Sequence, residues 1–207
     1  MSLHKGKLLL PAIFVAIFAL SRIPGLLPSN FSAAYAFFFC AGVYFGGALA
    51  WWLPFTTMLA TDVGLNIFYY HAPPVESYLL VNYAIYAVLI GLGKWFGPKA
   101  SILRLLAGGL AGALIFYLVT NTLSWWQDAA YAKTIAGWIQ ALTTERPDWH
   151  PTTWEMFRNT FLSGGLFTAL FVASEKLTAE SPADKTAGAR EPATDGETET
   201  EPEEAKA

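Results

Sequence analysis

The stretch LLAGGLAGALIFYLVTNTLSWWQ, Leu105–Gln127, runs without an Asp, Glu, Lys or Arg. About 18 consecutive apolar residues are long enough to cross the hydrocarbon core of a bilayer as a helix, and this run exceeds that length. A second charge-free run, Ile23–Thr61, is longer still, and shorter ones follow at Ser77–Gly93 and Asn159–Ser174. Across the 207 residues, 54% are hydrophobic and only 14% charged, against roughly a quarter charged in a soluble domain. The charges are also unevenly placed. Residues 178–207 hold nine acids and three bases, whereas residues 1–177 hold seven acids and ten bases. These patterns predict an all-α integral membrane bundle over residues 1–177 and a disordered acidic tail over 178–207, too poor in apolar surface to order itself.

Glycine and proline punctuation divides the bundle into about six transmembrane helices. The first runs from Leu8 to Ile23 and is closed by Pro24-Gly25 and Pro28. The second, Ser32–Phe45, reverses at Gly46-Gly47. The third, Ala48–Asn66, carries Pro54, which membrane helices tolerate where neighbours satisfy the freed carbonyl. Pro73-Pro74 precedes the fourth, Ser77–Phe96, and Gly97-Pro98 ends it. The fifth covers Ser101–Ser124 and the sixth Phe157–Leu177. Residues 125–155 between the last two are too polar to span and hold Trp125, Trp126, Trp138, Trp149 and Trp154 with Tyr131. Tryptophan and tyrosine concentrate at the membrane–water boundary, so this segment is expected there, with Tyr131–Leu142 as a short interfacial helix.

Basic residues set the expected orientation. Lys5 and Lys7 precede the first helix, and Lys94, Lys99 and Arg104 surround the fourth–fifth connection. Six spans place both groups on one side, which is then cytoplasmic together with both termini. Ser21-Arg22-Ile23-Pro24 offers no small-x-small cleavage site, so the first helix is expected to stay uncleaved.

With that topology the intramembrane polar residues gather at one end, the outer one. Arg22 closes the first helix and Asn30 precedes the second; Asp62 and Asn66 end the third; Asn82 starts the fourth; Asn121 ends the fifth; Arg158 and Asn159 open the sixth. Ionisable groups within spans face the bundle interior or a wet cavity and mark substrate paths. The set therefore predicts an outward-facing cup for a small polar molecule. Arg22, Asp62 and Arg158 as one cluster would carry a local charge near +1 and favour an acidic or electron-rich ligand. Duller readings stand beside these: arginines snorkelling to head groups, a structural Asp62 salt bridge, and Asn82 and Asn121 as interhelical links. Ala12-xxx-Ala16 on the first helix and Gly108-xxx-Gly112 on the fifth are spaced for close helix approach. The glycine pair reads as internal packing; the alanine pair reads as packing or as a docking face for another membrane protein.

Several chemistries are missing from the sequence. No G-x-x-x-x-G-K-[ST] phosphate loop is present, so ATP hydrolysis would have to come from separate partners. His4, His71 and His150 are scattered, the single Cys40 reads as a buried small hydrophobe, and no metal or cofactor is expected. Ser163 beside Gly164-Gly165 has no histidine within any span to activate it, so no enzyme is expected.

The stretches Ser21-Arg22…Pro28-Ser29-Asn30-Phe31, Gly42-Val43-Tyr44-Phe45-Gly46, Tyr131-Ala132-Lys133-Thr134-Ile135-Ala136-Gly137 and Arg158-Asn159-Thr160-Phe161…Leu166-Phe167-Thr168-Ala169-Leu170 resemble a family of uncharacterised bacterial membrane proteins of unknown function. The resemblance covers roughly residues 10–175, and Arg-Asn-Thr is its most specific element. This chain has Ser163-Gly164 where that pattern expects Gly-Asp, so no acidic role carries over to the sixth helix. The family is in turn similar in size and span count to the S components of energy-coupling factor transporters. That likeness implies a bacterial inner-membrane, substrate-capture subunit for a vitamin-like nutrient. It would dock through Ala12 and Ala16 onto a transmembrane coupling subunit carrying two ATPases. The implied partners are membrane lipid, that coupling complex and a small molecule, with no nucleic acid. The alternative is a small structural or regulatory membrane protein without a transported ligand.

Overall fold

A computed structural model describes residues 5–75, 78–144 and 152–179. Trp149 and residues 180–207 of the expected tail lie outside these. The described chain is all-α: α1 (Lys5–Ser21), α2 (Ala34–Tyr44), α3 (Leu49–Leu65), a π-helical turn (Asn66–Tyr70), α4 (Tyr78–Phe96), α5 (Ile102–Gln127), α6 (Ile135–Thr143) and α7 (Thr153–Ala179). The π-turn ends at His71, whose φ of 51° reverses the chain.

α2 is the axis of the bundle. Every residue from Ala34 to Val43 is buried, and the helix packs against α3, α4, α5 and α7. Its closest crossing is with α4, where two glycines let backbone meet backbone. A Cβ on Gly42 would lie 2.2 Å from the Ile90 carbonyl oxygen, and one on Gly93 would lie 2.0 Å from that of Phe39. α5 and α7 also approach through glycines, which here make room for side chains: Gly109 for Thr168 and Gly164 for the Ala113 methyl. Gly108 and Gly112 face inward onto Phe39 and Leu89, as the packing reading of that pair expects.

Among the described residues, two helices are long and apolar enough to cross a bilayer: Leu79–Phe96 and Ile102–Gln127. Length and composition therefore do not carry the expected six-span count. The long run Ile23–Thr61 is cut by an irregular stretch before α2 and a turn before α3, leaving α2 with 11 residues and α3 with 17. At 1.5 Å per residue, 11 residues reach about 16 Å, roughly half a hydrocarbon core. A uniformly apolar sequence marks a buried core helix as well as a span, and the packing of α2 against four other helices is enough to account for its apolar residues.

Other boundaries also move. α7 starts at Thr153 rather than Phe157, because Thr152 and Glu155 form a reciprocal cap. The Thr152 N–H donates to Glu155 Oε2 at 2.9 Å, and the Glu155 N–H donates to Thr152 Oγ1 at 3.3 Å. The helix also runs on through Thr178 and Ala179, residues expected in the tail. α6 begins after Thr134, whose hydroxyl accepts from the Gly137 N–H at 3.1 Å, four residues later than expected. It lies against the end of α5. The Trp138 indole donates to Thr122 at 2.9 Å, and the Tyr117 hydroxyl donates to the Leu142 carbonyl at 2.8 Å.

Candidate functional site

The long helices alternate in direction. The C-terminal ends of α1, α3 and α5 therefore meet the N-terminal ends of α2, α4 and α7 at one end of the bundle. Two cavities open there. One, of about 320 Å³, lies among the end of α1, the α1–α2 connection, Leu65, Tyr70, Asn82 and Tyr86. The other, of about 270 Å³, lies among Asn82, the segment of α5 from Phe116 to Ser124, Met156 and Thr160. Asn30, Tyr35, Asn82 and Phe116 line both, so the two adjoin. Both linings are more polar than apolar, with aromatic rings set among asparagine, serine and threonine side chains.

Of the residues expected at the site, Arg22, Asn30, Asn82 and Asn121 line these cavities. Asn30 reaches its place through a left-handed backbone, φ 60°, which asparagine tolerates better than other side chains. Asn121 donates back to the Tyr117 carbonyl at 2.9 Å within α5.

The other members support the site from behind. Asp62 is buried and accepts from the Arg22 guanidinium on one oxygen and from the Tyr83 hydroxyl on the other at 2.9 Å. A carboxylate on an apolar helix needs such partners, and here they orient Arg22 at the cavity wall. The Arg22 Nε is buried and has no hydrogen-bond partner among the described residues. Asn66, buried in the π-turn, donates to the Pro74 carbonyl at 3.3 Å. That turn brings Tyr70 to the cavity rim. Asn159 is buried and donates to the Ser29 carbonyl at 2.9 Å, holding the connection that carries Asn30.

The expected cluster of Arg22, Asp62 and Arg158 does not assemble. Arg158 is exposed, lines neither cavity, and its Nε donates to Asn159 Oδ1 at 3.3 Å. The reason is helical register: successive residues point about 100° apart. With Asn159 turned inward to Ser29, its neighbour is carried outward. The charged part of the site is one neutralised pair, without the surplus positive charge expected of three groups.

Among the lining residues that sequence reasoning missed are Tyr35, Tyr86 and Phe116. They form an aromatic wall with Phe38, at centroid separations of 4.3–5.4 Å. Tyr35 and Tyr86 sit within about a turn of Asn30 and Asn82 at the same helix ends. A sorting of hydroxyl-bearing aromatics by depth, alongside Asn, Asp and Arg, would have found both.

Ala12 and Ala16 are exposed on the outer side of α1, with Phe14 and Phe18 buried on its inner side.

No curated protein and no solved structure matches the chain. Residues 3–185, most of its length, match DUF6580, and the chain belongs to this family of unknown function.

Proposed function

We propose that this chain is a membrane-embedded substrate-capture subunit, similar in plan to the S components of energy-coupling factor transporters. It takes up a small polar nutrient and relies on separate ATP-hydrolysing partners. The observation that carries this reading is the pair of adjoining cavities, about 320 and 270 Å³, at the end where six helix termini converge. Their combined size falls in the range of small-molecule sites. In this reading α1 to α5 and α7 cross the membrane, and both termini are cytoplasmic. α2 is helped across by the irregular connection before it, whose backbone is tolerated at membrane depth only where protein or a wet cavity covers it. The exposed Ala12/Ala16 face of α1 supports docking of a coupling subunit, since small residues permit close helix approach.

A second reading, a structural or regulatory membrane protein, has its own support. Asp62, Asn66 and Asn159 are all engaged by other parts of the chain. Mass spectrometry of small molecules co-purifying with the detergent-solubilised full chain separates the two. Capture predicts a stoichiometric small molecule that is lost when Asn82 and Asn121 are both replaced by leucine. Its absence, together with no thermal stabilisation by a nutrient library, leaves the structural reading.

A further inference from the structure

The wall of the joined cavities is an ordered stack. Phe38 lies on Tyr86 at 4.3 Å and Tyr86 on Phe116 at 5.4 Å, both 13° from parallel. Tyr35 leans against Phe116 at 4.8 Å and 53°. Phe116 ends the parallel stack and borders both cavities. Offset stacking on such a ring favours a flat aromatic guest over an aliphatic one of equal area.

Polar groups frame that ring. Asn30 and Asn82 also line both cavities, and neither side chain is hydrogen-bonded within the described residues. A carboxamide presents two donors and an acceptor, the complement of a ring nitrogen beside a carbonyl or of an exocyclic amide. A site built this way rejects an analogue that leaves those groups unpaired.

Charge narrows the guest further. Among the described residues, Arg22 is the one Asp, Glu, Lys or Arg in either lining, and Asp62 already neutralises it. A carboxylate or phosphate could reach only the Arg22 donors that Asp62 leaves free, and would find there no surplus positive charge to offset its own. A cation would find no Asp or Glu among the described lining residues to pair with.

We propose that the joined cavities take a planar, net-neutral aromatic heterocycle with amide-like edges, stacked on Phe116 and hydrogen-bonded by Asn30 and Asn82. This rests on the substrate-capture reading and names its ligand class.

The test is equilibrium dialysis of the purified full chain against probes that differ in charge and aromaticity. Nicotinamide and lumichrome are neutral heterocycles, nicotinate is the anion, 1-methylnicotinamide the cation and propionamide the aliphatic amide. At least one neutral heterocycle should bind ten times more tightly than the anionic, cationic and aliphatic probes. Phe116→Leu should weaken that binding at least tenfold. Asn82→Leu, which removes no hydrogen bond from the folded chain, should do the same with an unchanged melting temperature. Preference for nicotinate, 1-methylnicotinamide or propionamide overturns the ligand class and leaves capture standing. Tight binding of a neutral probe that survives both substitutions overturns the placement on Phe116 and Asn82. If no probe binds, the co-purifying molecule decides: a neutral heterocycle upholds the class, and any other compound overturns it. Absence of both probe binding and a co-purifying molecule overturns the capture reading itself.

Discussion

Asp62 draws on two other helices at once, accepting from Arg22 at the end of α1 and from Tyr83 on α4. Asp62→Asn leaves Arg22 without its counter-charge. Breaking a buried pair costs about 3–5 kcal/mol, and the lower end applies because the Arg22 side chain is still 25% exposed. Tyr83→Phe removes one hydrogen bond to a charged group, about 1.5–3 kcal/mol, so its melting temperature in detergent should fall less. Arg158→Gln, at an exposed position, should stay within about 0.5 kcal/mol of the parent. Equal melting of Asp62→Asn and Arg158→Gln would show that the ion pair contributes nothing to the fold. That Asp62 needs a partner was legible from a lone acid on an apolar helix. The choice of Arg22 over Arg158 was not, because it depends on how α7 is rotated about its axis.

Between elements, the α2–α4 crossing is the tightest constraint and its glycines are not interchangeable with others nearby. A Gly93 Cβ would collide with the Phe39 carbonyl, a backbone atom that cannot rotate away, whereas a Gly91 Cβ meets nothing within 4 Å. Gly93→Ala should therefore destabilise by at least the 1–3 kcal/mol typical of overpacking. Gly91→Ala, on the exposed face of the same helix, should stabilise by about 0.5–1 kcal/mol through helix propensity. Thermal unfolding of the pair checks the crossing, and similar melting for both would mean that α2 and α4 do not approach there. The outer face of α1 makes the opposite case. Ala12 and Ala16 are exposed, so leucines at both positions should leave the melting temperature unchanged while abolishing co-purification of a coupling subunit. Loss of the fold in that variant would make the face internal packing and sink the docking role.

For the whole molecule the decisive measurement is topology. Six crossings place Lys94, Lys99 and Arg104 on the same side as the N-terminus, and the α5–α7 connection on the other. Alkaline phosphatase fused within residues 128–134 should be active, and the same reporter after Ala179 should be silent. Activity after Ala179 would mean an odd number of crossings. Much of the helical segmentation was readable in advance, because hydrophobic runs and Gly/Pro breakers act over a few neighbouring residues. The sequence alone determined an all-helical chain, where most of its helices break, and that Arg22, Asn30, Asn82 and Asn121 share one end. Only the tertiary structure decided that α2 is a short, wholly buried axis and that Arg158 turns away. It also built the wall of Tyr35, Tyr86 and Phe116 that lines the cavities together with Asn30 and Asn82. Those outcomes rest on pairings such as Arg22 with Asp62, 40 residues apart, and Asn159 with Ser29, 130 apart. Local propensity is blind to such separations, and only the packing of whole helices brings the partners together.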